Sequence, residues 1–444
     1  MFRTWVRAAR VAVFLSIAPA TGSVASSPAA PPADPSVWIT LDDSVFAAVT
    51  GVFEAGPGGE VLPFLPRLAE TRGVILTTLP QSALEALSQR IHRDFRRCGG
   101  FVKHESLAEA LEALARLERP SAPLVLPFTI DRPALVAPLV AAVDEAAILA
   151  TITSLSTNFP NRYHAHPSGT NAANAIKAQW EGYAAGHEGV TVELYAHVGI
   201  TAQPSVVATI PGTTYPEQIV IVGAHEDSIR SGCSGNPNCT APGADDDASG
   251  VATISEALRV LLASGIEPQR TIQFMAYAAE EVGLDGSDDI AGDYAAASRQ
   301  VVAVLQQDMT AFQGSPTDVT LIQDSAFTNP ELNQFLGAIV DTYLPSLTRG
   351  TSNCGYGCSD HASWNVRGYP AAMAFEAPYP GSYNTSLHTP QDTVATFGGT
   401  AAHAAKFARI AVAFAVEAAL DWTPDIFADG FEAANLDGWS NAAP

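Results

Sequence analysis

The chain is short of positive charge: 23 Lys and Arg stand against 46 Asp and Glu in 444 residues, a formal net charge of −23. A balance of that sign repels a phosphate backbone, so nucleic acid is excluded as a partner and solubility is favoured. Long hydrophobic runs are missing as well. No segment approaches 18 uninterrupted apolar residues, so none reads as a bilayer-spanning helix. No repeat of about 20 to 50 residues is visible, which speaks against a solenoid or propeller. Cysteine is scarce, with 5 residues in all. Cys233 and Cys239 flank Ser-Gly-Asn-Pro-Asn, Cys354 and Cys358 flank Gly-Tyr-Gly, and Cys98 stands alone. Two short-loop disulfides plus one odd thiol is the economical reading. A four-cysteine zinc site is the alternative, although neither pair has the usual two-residue spacing.

What is present begins with apolar content, 47% of residues, enough for one large core. At the N-terminus Arg3, Arg7 and Arg10 precede the apolar run Val11–Ala20 and the small residues Ser23-Val24-Ala25. That is the pattern of a signal peptide over residues 1–25, predicting a secreted protein exported through a Gram-negative-type periplasm. Residues 26–117 then alternate strand-like pieces, Val37–Thr40 and Val74–Thr77, with a helical one, Ser82–Ile91, as in a small α+β domain. Residues 118–138 carry five prolines. Such a stretch is expected to resist regular structure and to serve as an exposed linker open to proteolysis.

Residues 139–420 change character. Gln218–His225, Thr271–Tyr277, Val301–Gln306, Val319–Ile322 and Ala371–Phe375 are near-continuous apolar runs, the signature of strands buried on both faces. Between them Val251, Ile254, Leu258 and Leu261 recur at helical spacing, as do Leu332, Phe335, Leu336, Ile339 and Tyr343. The pattern predicts an α/β/α layered domain, followed by a tail over 421–444.

Polar clusters fall at the ends of those strands, where open α/β sheets place their ligand crevice. One strand runs into His225-Glu226-Asp227, a second into Glu280-Glu281, a third into Asp308-Met309, and the Ala371–Phe375 strand leads after a loop to His388. A further stretch, Ala241–Gly250, reads APGADDDASG. Adjacent buried carboxylates repel by about 4 kcal/mol at 4 Å and an effective dielectric near 20, so such a triplet needs a cation or many donors. Imidazole and carboxylate without thiolate suit Zn²⁺, Mn²⁺ or Co²⁺, and a carboxylate can bridge two such ions.

The segment His225–Ser228, the stretch APGADDDASG, Phe274–Ser287 (FMAYAAEEVGLDGS), Gln307-Asp308-Met309, Cys354–Trp364 (CGYGCSDHASW) and His388-Thr389 together resemble the secreted bacterial leucyl aminopeptidases of peptidase family M28, the Aeromonas/Vibrio type. Asp94–His104 (DFRRCGGFVKH) resembles the propeptide of that group, which acts there as a removable chaperone and inhibitor. The resemblance implies a three-layer α/β/α zinc-peptidase domain with a mixed, mostly parallel twisted sheet, plus a small α+β propeptide domain. It implies two Zn²⁺ per chain, with Co²⁺ or Mn²⁺ as substitutes. Asp246 would bridge them, one ion also taking Glu281 and His388 and the other His225 and Asp308. Glu280 would be the general base toward a metal-bound water or hydroxide, and Asp227 would orient His225. A cis peptide is expected after Asp246.

The same resemblance places Met309, Ile322, Tyr356, Met373, Phe375, Tyr379, Tyr383 and Leu387 around a pocket for a Leu-like first residue of a peptide with a free N-terminus. Tyr356 would steady the developing oxyanion. Its implied partners are peptide substrates and the chain's own propeptide, with no membrane after signal cleavage and a monomeric state. Glu226 departs from the family pattern, which has an apolar residue there. The alternatives are a single-zinc relative, such as a glutaminyl cyclase or carboxypeptidase, and a metal-free binding homologue. His92, His164, His166, His187, His197 and His403 match no motif, and His361 reads as structural or as a support behind the ligands rather than as a ligand.

Overall fold

The apolar runs become the centre of one eight-stranded sheet. Its strand order is Arg349–Ser352, Val319–Ile322, Ala371–Phe375, Gln300–Gln307, Tyr215–His225, Arg270–Tyr277, Ser205–Ile210 and Thr191–Tyr195. The computed structural model describes residues 34–50, 62–95, 97, 99–104, 106–118, 128–233, 236, 238–324 and 326–420. The expected signal peptide, Cys98 and the tail lie outside these residues. The middle four strands run parallel. Antiparallel neighbours flank them on both sides, and Arg349–Ser352 pairs parallel with Val319–Ile322.

Alternation along the strand Tyr215–His225 explains its unbroken apolar run. Val220, Val222 and Ala224 enter the core formed with the helices Glu145–Asn158, Ala248–Ser264, Pro330–Tyr343 and Ala404–Ala419. Ile219 and Ile221 point to the other face, against Ile290 and Ala291 of the helix Asp285–Ala296 and Trp364 of the helix His361–Asn365. With successive side chains on opposite faces and both faces covered, the strand has no solvent side to make polar. The predicted three-layer architecture is the one observed. Among the described residues no single helix is long and apolar enough to cross a membrane.

One stretch departs from expectation. Pro133–Ala141, partly inside the segment expected to resist regular structure, is an α-helix. Pro133 starts it, where a missing N–H costs nothing, and Val136, Leu139 and Val140 bury one side in the core. Packing outweighs the internal Pro138.

The N-terminal residues form a second, four-stranded antiparallel sheet, ordered Ala69–Thr71, Val74–Pro80, Ser36–Asp42, Phe101–His104. The helix Leu84–Phe95 covers one face through Leu87 and Ile91, and begins and ends a few residues later than its predicted span. The other face, with Val74, Leu76 and Val102, packs with the helix Leu107–Glu118 against Leu284, Phe327 and Ala362 of the layered domain. From Pro35 onward the two sheets belong to one unit.

Candidate metal centre

Backbone geometry brings the strand endings to one point. After Tyr277 the chain turns through Ala278 and Ala279, and Ala279 adopts φ 56°, so that Glu280 and Glu281 fall in a single 3₁₀ turn. Met309 and His388 also have φ near 55°. Positive φ at three non-glycine residues in one locality is a cost that the surrounding packing must hold in place.

The acidic stretch is fastened from behind. Arg162, fully buried, donates to the carbonyls of Glu226 at 2.8 Å, Pro242 at 2.6 Å and Gly243 at 2.8 Å. Asp392 accepts the N–H groups of Asp245 and Asp246, both at 3.1 Å. The peptide between Asp246 and Asp247 is cis, as expected. Asp247 caps the helix Ala248–Ser264 by accepting from Gly250 N at 2.8 Å, and it also accepts from the N–H groups of His225 and Met309 at 3.1 Å. Asp245 accepts from Ala311 N at 2.9 Å and Asn384 Nδ2 at 3.0 Å. The outer two acids of the triplet therefore serve the scaffold, and only the middle one faces the cluster.

Asp246 lies between two imidazoles. Its Oδ1 is 3.0 Å from His225 Nε2 and its Oδ2 is 3.0 Å from His388 Nε2. His225 Nε2 is 3.6 Å from Asp308 Oδ1, and His388 Nε2 is 2.9 Å from Glu281 Oε2. All five side chains predicted as ligands are thus together and buried. Behind them Asp227 reaches His225 Nδ1 at 3.3 Å and accepts the N–H groups of Glu280 at 3.0 Å and Glu281 at 3.2 Å. It ties the His225 ring to the glutamate turn.

The donor set fits two divalent cations. His225, Asp246 and Asp308 present one group of converging atoms, and Glu281 and His388 belong to a second. Both carboxylate oxygens of Glu280 are buried without a hydrogen-bond partner. Burial, and after it the neighbouring Glu281 and other carboxylates, push Glu280 well above the usual carboxylate range. Burial and Asp246 likewise raise Glu281 to about 7. Burial would lower His388, but Glu281 and Asp246 outweigh it and raise the imidazole to about 10. Asp246 runs the other way: burial opposes its charge, yet the two imidazoles hold it well below its ordinary value. Acids that hold protons and bases that refuse to lose them mark a cluster in need of positive charge.

The pocket residues also assemble. Met309, Ile322, Tyr356, Met373, Phe375 and Leu387 form one apolar cluster with Tyr379 and Tyr383 at its edge. Ile322 lies behind the cavity wall rather than on it. Disulfides join Cys354 to Cys358, bracing the loop of Tyr356, and Cys233 to Cys239. A carboxypeptidase would need a cation for the substrate's terminal carboxylate, and the two arginines nearest in sequence are held by other acids, Arg349 by Asp341 at 2.7 Å and Arg367 by Asp288 at 2.6 Å. Glu226 is buried, and burial together with Asp227 raises its carboxyl well above normal. His361 is buried outside both ligand groups, its pKa lowered to about 3 by burial.

Two residues at the site were not expected. His92, on the helix Leu84–Phe95, points Nε2 at Glu281 Oε2 from 3.4 Å, and its ring meets that of His388 edge-on at 4.4 Å. Arg97 lies over the Tyr356 ring at 3.7 Å and lines the apolar pocket. Glu85, Ser88 and His92 share one stripe of that helix, about 100° round the axis from Leu87 and Ile91. Tyr163 donates to Glu85 Oε1 at 2.7 Å, and Ser88 donates to the Glu281 carbonyl at 2.6 Å. That polar stripe on an otherwise amphipathic helix was the signal available in the sequence.

Residues 205–413 match the family model described as peptidase family M28. A probable leucine aminopeptidase of Arthroderma benhamiae is 39% identical over 297 residues, covering 66% of this chain and 78% of that protein. Leucine aminopeptidase 1 of Coccidioides posadasii is 39% identical over 278 residues, covering 59% and 68%. Among solved structures, the LapA aminopeptidase of Legionella pneumophila aligns with a TM-score of 0.69 at 27% identity, covering 88% of this chain and 100% of that one. With the sheet, the histidine–carboxylate cluster and these relatives in agreement, the chain belongs to peptidase family M28, among its metallo-aminopeptidases.

Proposed function

We propose that the protein is a secreted dinuclear zinc aminopeptidase that removes hydrophobic, Leu-like residues from the free N-termini of peptides. The observation that carries this is the placement of Asp246 between His225 and His388, 3.0 Å from each, with a second carboxylate beside each imidazole. The bound cations would polarise the scissile carbonyl and make water acidic enough to react at neutral pH. Glu280, with no partner for its carboxylate, takes the proton from that water and hands it to the leaving amine. Tyr356 lines the apolar pocket together with Asp308 and Met309 and would donate to the carbonyl oxygen as charge develops. The surplus of carboxylates suits a substrate with a free α-amine, and the cluster around Met309, Met373 and Phe375 suits an apolar side chain.

The same reading assigns residues 26–117 to a propeptide, 118–138 to the region where it is removed, and 139–420 to the catalytic domain, working as a monomer of the Aeromonas/Vibrio type. Metal analysis with two anilide substrates tests it. Two zinc per mature chain, with cleavage of a leucyl anilide but not of its N-acetylated form, is the expected result. Equal cleavage of both, or full activity in Asp246→Ala, overturns it.

A further inference from the structure

The helix Leu84–Phe95 does more than lie near the cluster. His92, Glu281 and His388 each offer a ligand atom within 4.8 Å of the others, as do His225, Asp246 and Asp308. His92 Nε2 is buried and makes no hydrogen bond, while its other ring nitrogen, Nδ1, lies 3.3 Å from Ser88 Oγ. One nitrogen held by a hydroxyl, the other aimed into a carboxylate–imidazole cluster, is how proteins orient a metal-binding histidine.

We propose that in the uncut chain His92 is a further protein ligand to the cation held by Asp246, Glu281 and His388, occupying the coordination position that a substrate needs. This rests on the two-cation reading above. Zinc with four protein ligands is closed, whereas a catalytic zinc keeps a position open. The N-terminal domain would thus convert one ion of a reactive pair into a structural one.

The segment after His92 covers the rest of the site. Arg97, ion-paired with Asp42, lies on Tyr356 and leaves about 20 Å³ of free space in the apolar pocket, room for roughly one water. Gly99 passes so close that a Cβ there would stand 2.8 Å from the Gly357 carbonyl and 3.7 Å from Glu280 Oε1. Cation, pocket and base are each met by the same short stretch of chain.

Stripping the full-length chain of metal and titrating it with Co²⁺, with affinity read by chelator competition and coordination by visible absorption, tests the assignment without any activity measurement. His92→Gln is expected to weaken one of two Co²⁺ sites by tenfold or more and to alter its absorption band, leaving the other site within twofold. His388→Gln should weaken the same site. If His388→Gln weakens binding and His92→Gln changes neither affinity nor spectrum, the His92 ligand is overturned and the two-cation reading stands. If neither variant weakens binding, the two-cation reading itself fails. Should His92→Gln not fold, His92→Asn, whose amide can take the place of Nδ1 beside Ser88 but is too short to reach the Nε2 position, must shift the same band; an unchanged band overturns the proposal.

Discussion

Asp227→Asn is the most discriminating substitution outside the ligand set. The carboxylate is fully buried, lies 3.3 Å from His225 Nδ1 and accepts the N–H groups of Glu280 and Glu281 at 3.0 and 3.2 Å. Asparagine keeps the shape but has one acceptor oxygen instead of two. If the amide nitrogen takes the Oδ1 position, it faces both His225 Nδ1 and the Glu280 N–H, and the oxygen keeps only the Glu281 N–H. The imidazole then relieves the clash by moving its proton to Nε2, the atom that faces Asp246 and Asp308. Losing a charge-assisted bond costs about 1.5–3 kcal/mol in stability. Holding the ring in the wrong tautomer should weaken cation binding about 10- to 100-fold at the His225 site. Thermal melting in chelator reads the first quantity, and zinc competition with a chromogenic chelator reads the second. A folded Asp227→Asn chain whose two zinc affinities lie within twofold of wild type refutes the reasoning, because the proton position on His225 would then not depend on Asp227.

Glu280→Gln should lower kcat about 10²- to 10⁴-fold while zinc content, read by atomic spectrometry, stays at the wild-type value; lost metal would instead make Glu280 a ligand. Gly250→Ala should destabilise by about 3 kcal/mol or more in urea unfolding, because the added Cβ would stand 2.1 Å from the Gln307 carbonyl and 2.4 Å from the Asp247 carboxylate. Acid should loosen the full-length chain. Burial, outweighing the nearby Asp288, lowers His104 from 6.5 to about 4, so the unfolded chain binds the extra proton first as pH falls. The stability conferred by a neutral His104 is whole above about pH 6.5 and lost on descending to about 4, a change of at most about 3 kcal/mol. Melting curves across that window should steepen for wild type relative to His104→Asn, and parallel curves would contradict the assignment.

The sequence was most informative where both sides of an element are covered. Gln218–His225 and Val319–Ile322 read as buried strands because neither face meets water, and they are strands. Arg349–Ser352 and Thr191–Tyr195 escaped notice because they close the sheet at its edges, half exposed and without apolar runs. The five predicted ligands sit at strand endings and in the acidic loop, so their positions follow from local chain order. His92 does not. The polar stripe of its helix marks a second side to be buried, but which surface that side meets depends on how the two sheets dock, which local chain order does not encode. The resemblance noted in Asp94–His104 began two residues too late to include it.

Arg162 has a consequence for how the metal centre can be handled. Burial works against the charge of its guanidinium and lowers its pKa, while carbonyl oxygens hold it and Asp392, Asp227, Asp247 and Asp246 favour the charge; a guanidinium keeps its proton in such a site. It is a permanent cation in the scaffold, and it does not depart with a chelator. The remaining negative charge can be met by protons, since Asp245 rises to about 6 and Glu281 to about 7, in both cases chiefly through burial. Refilling an emptied centre would then exchange protons for ions, and each refilling should acidify an unbuffered solution.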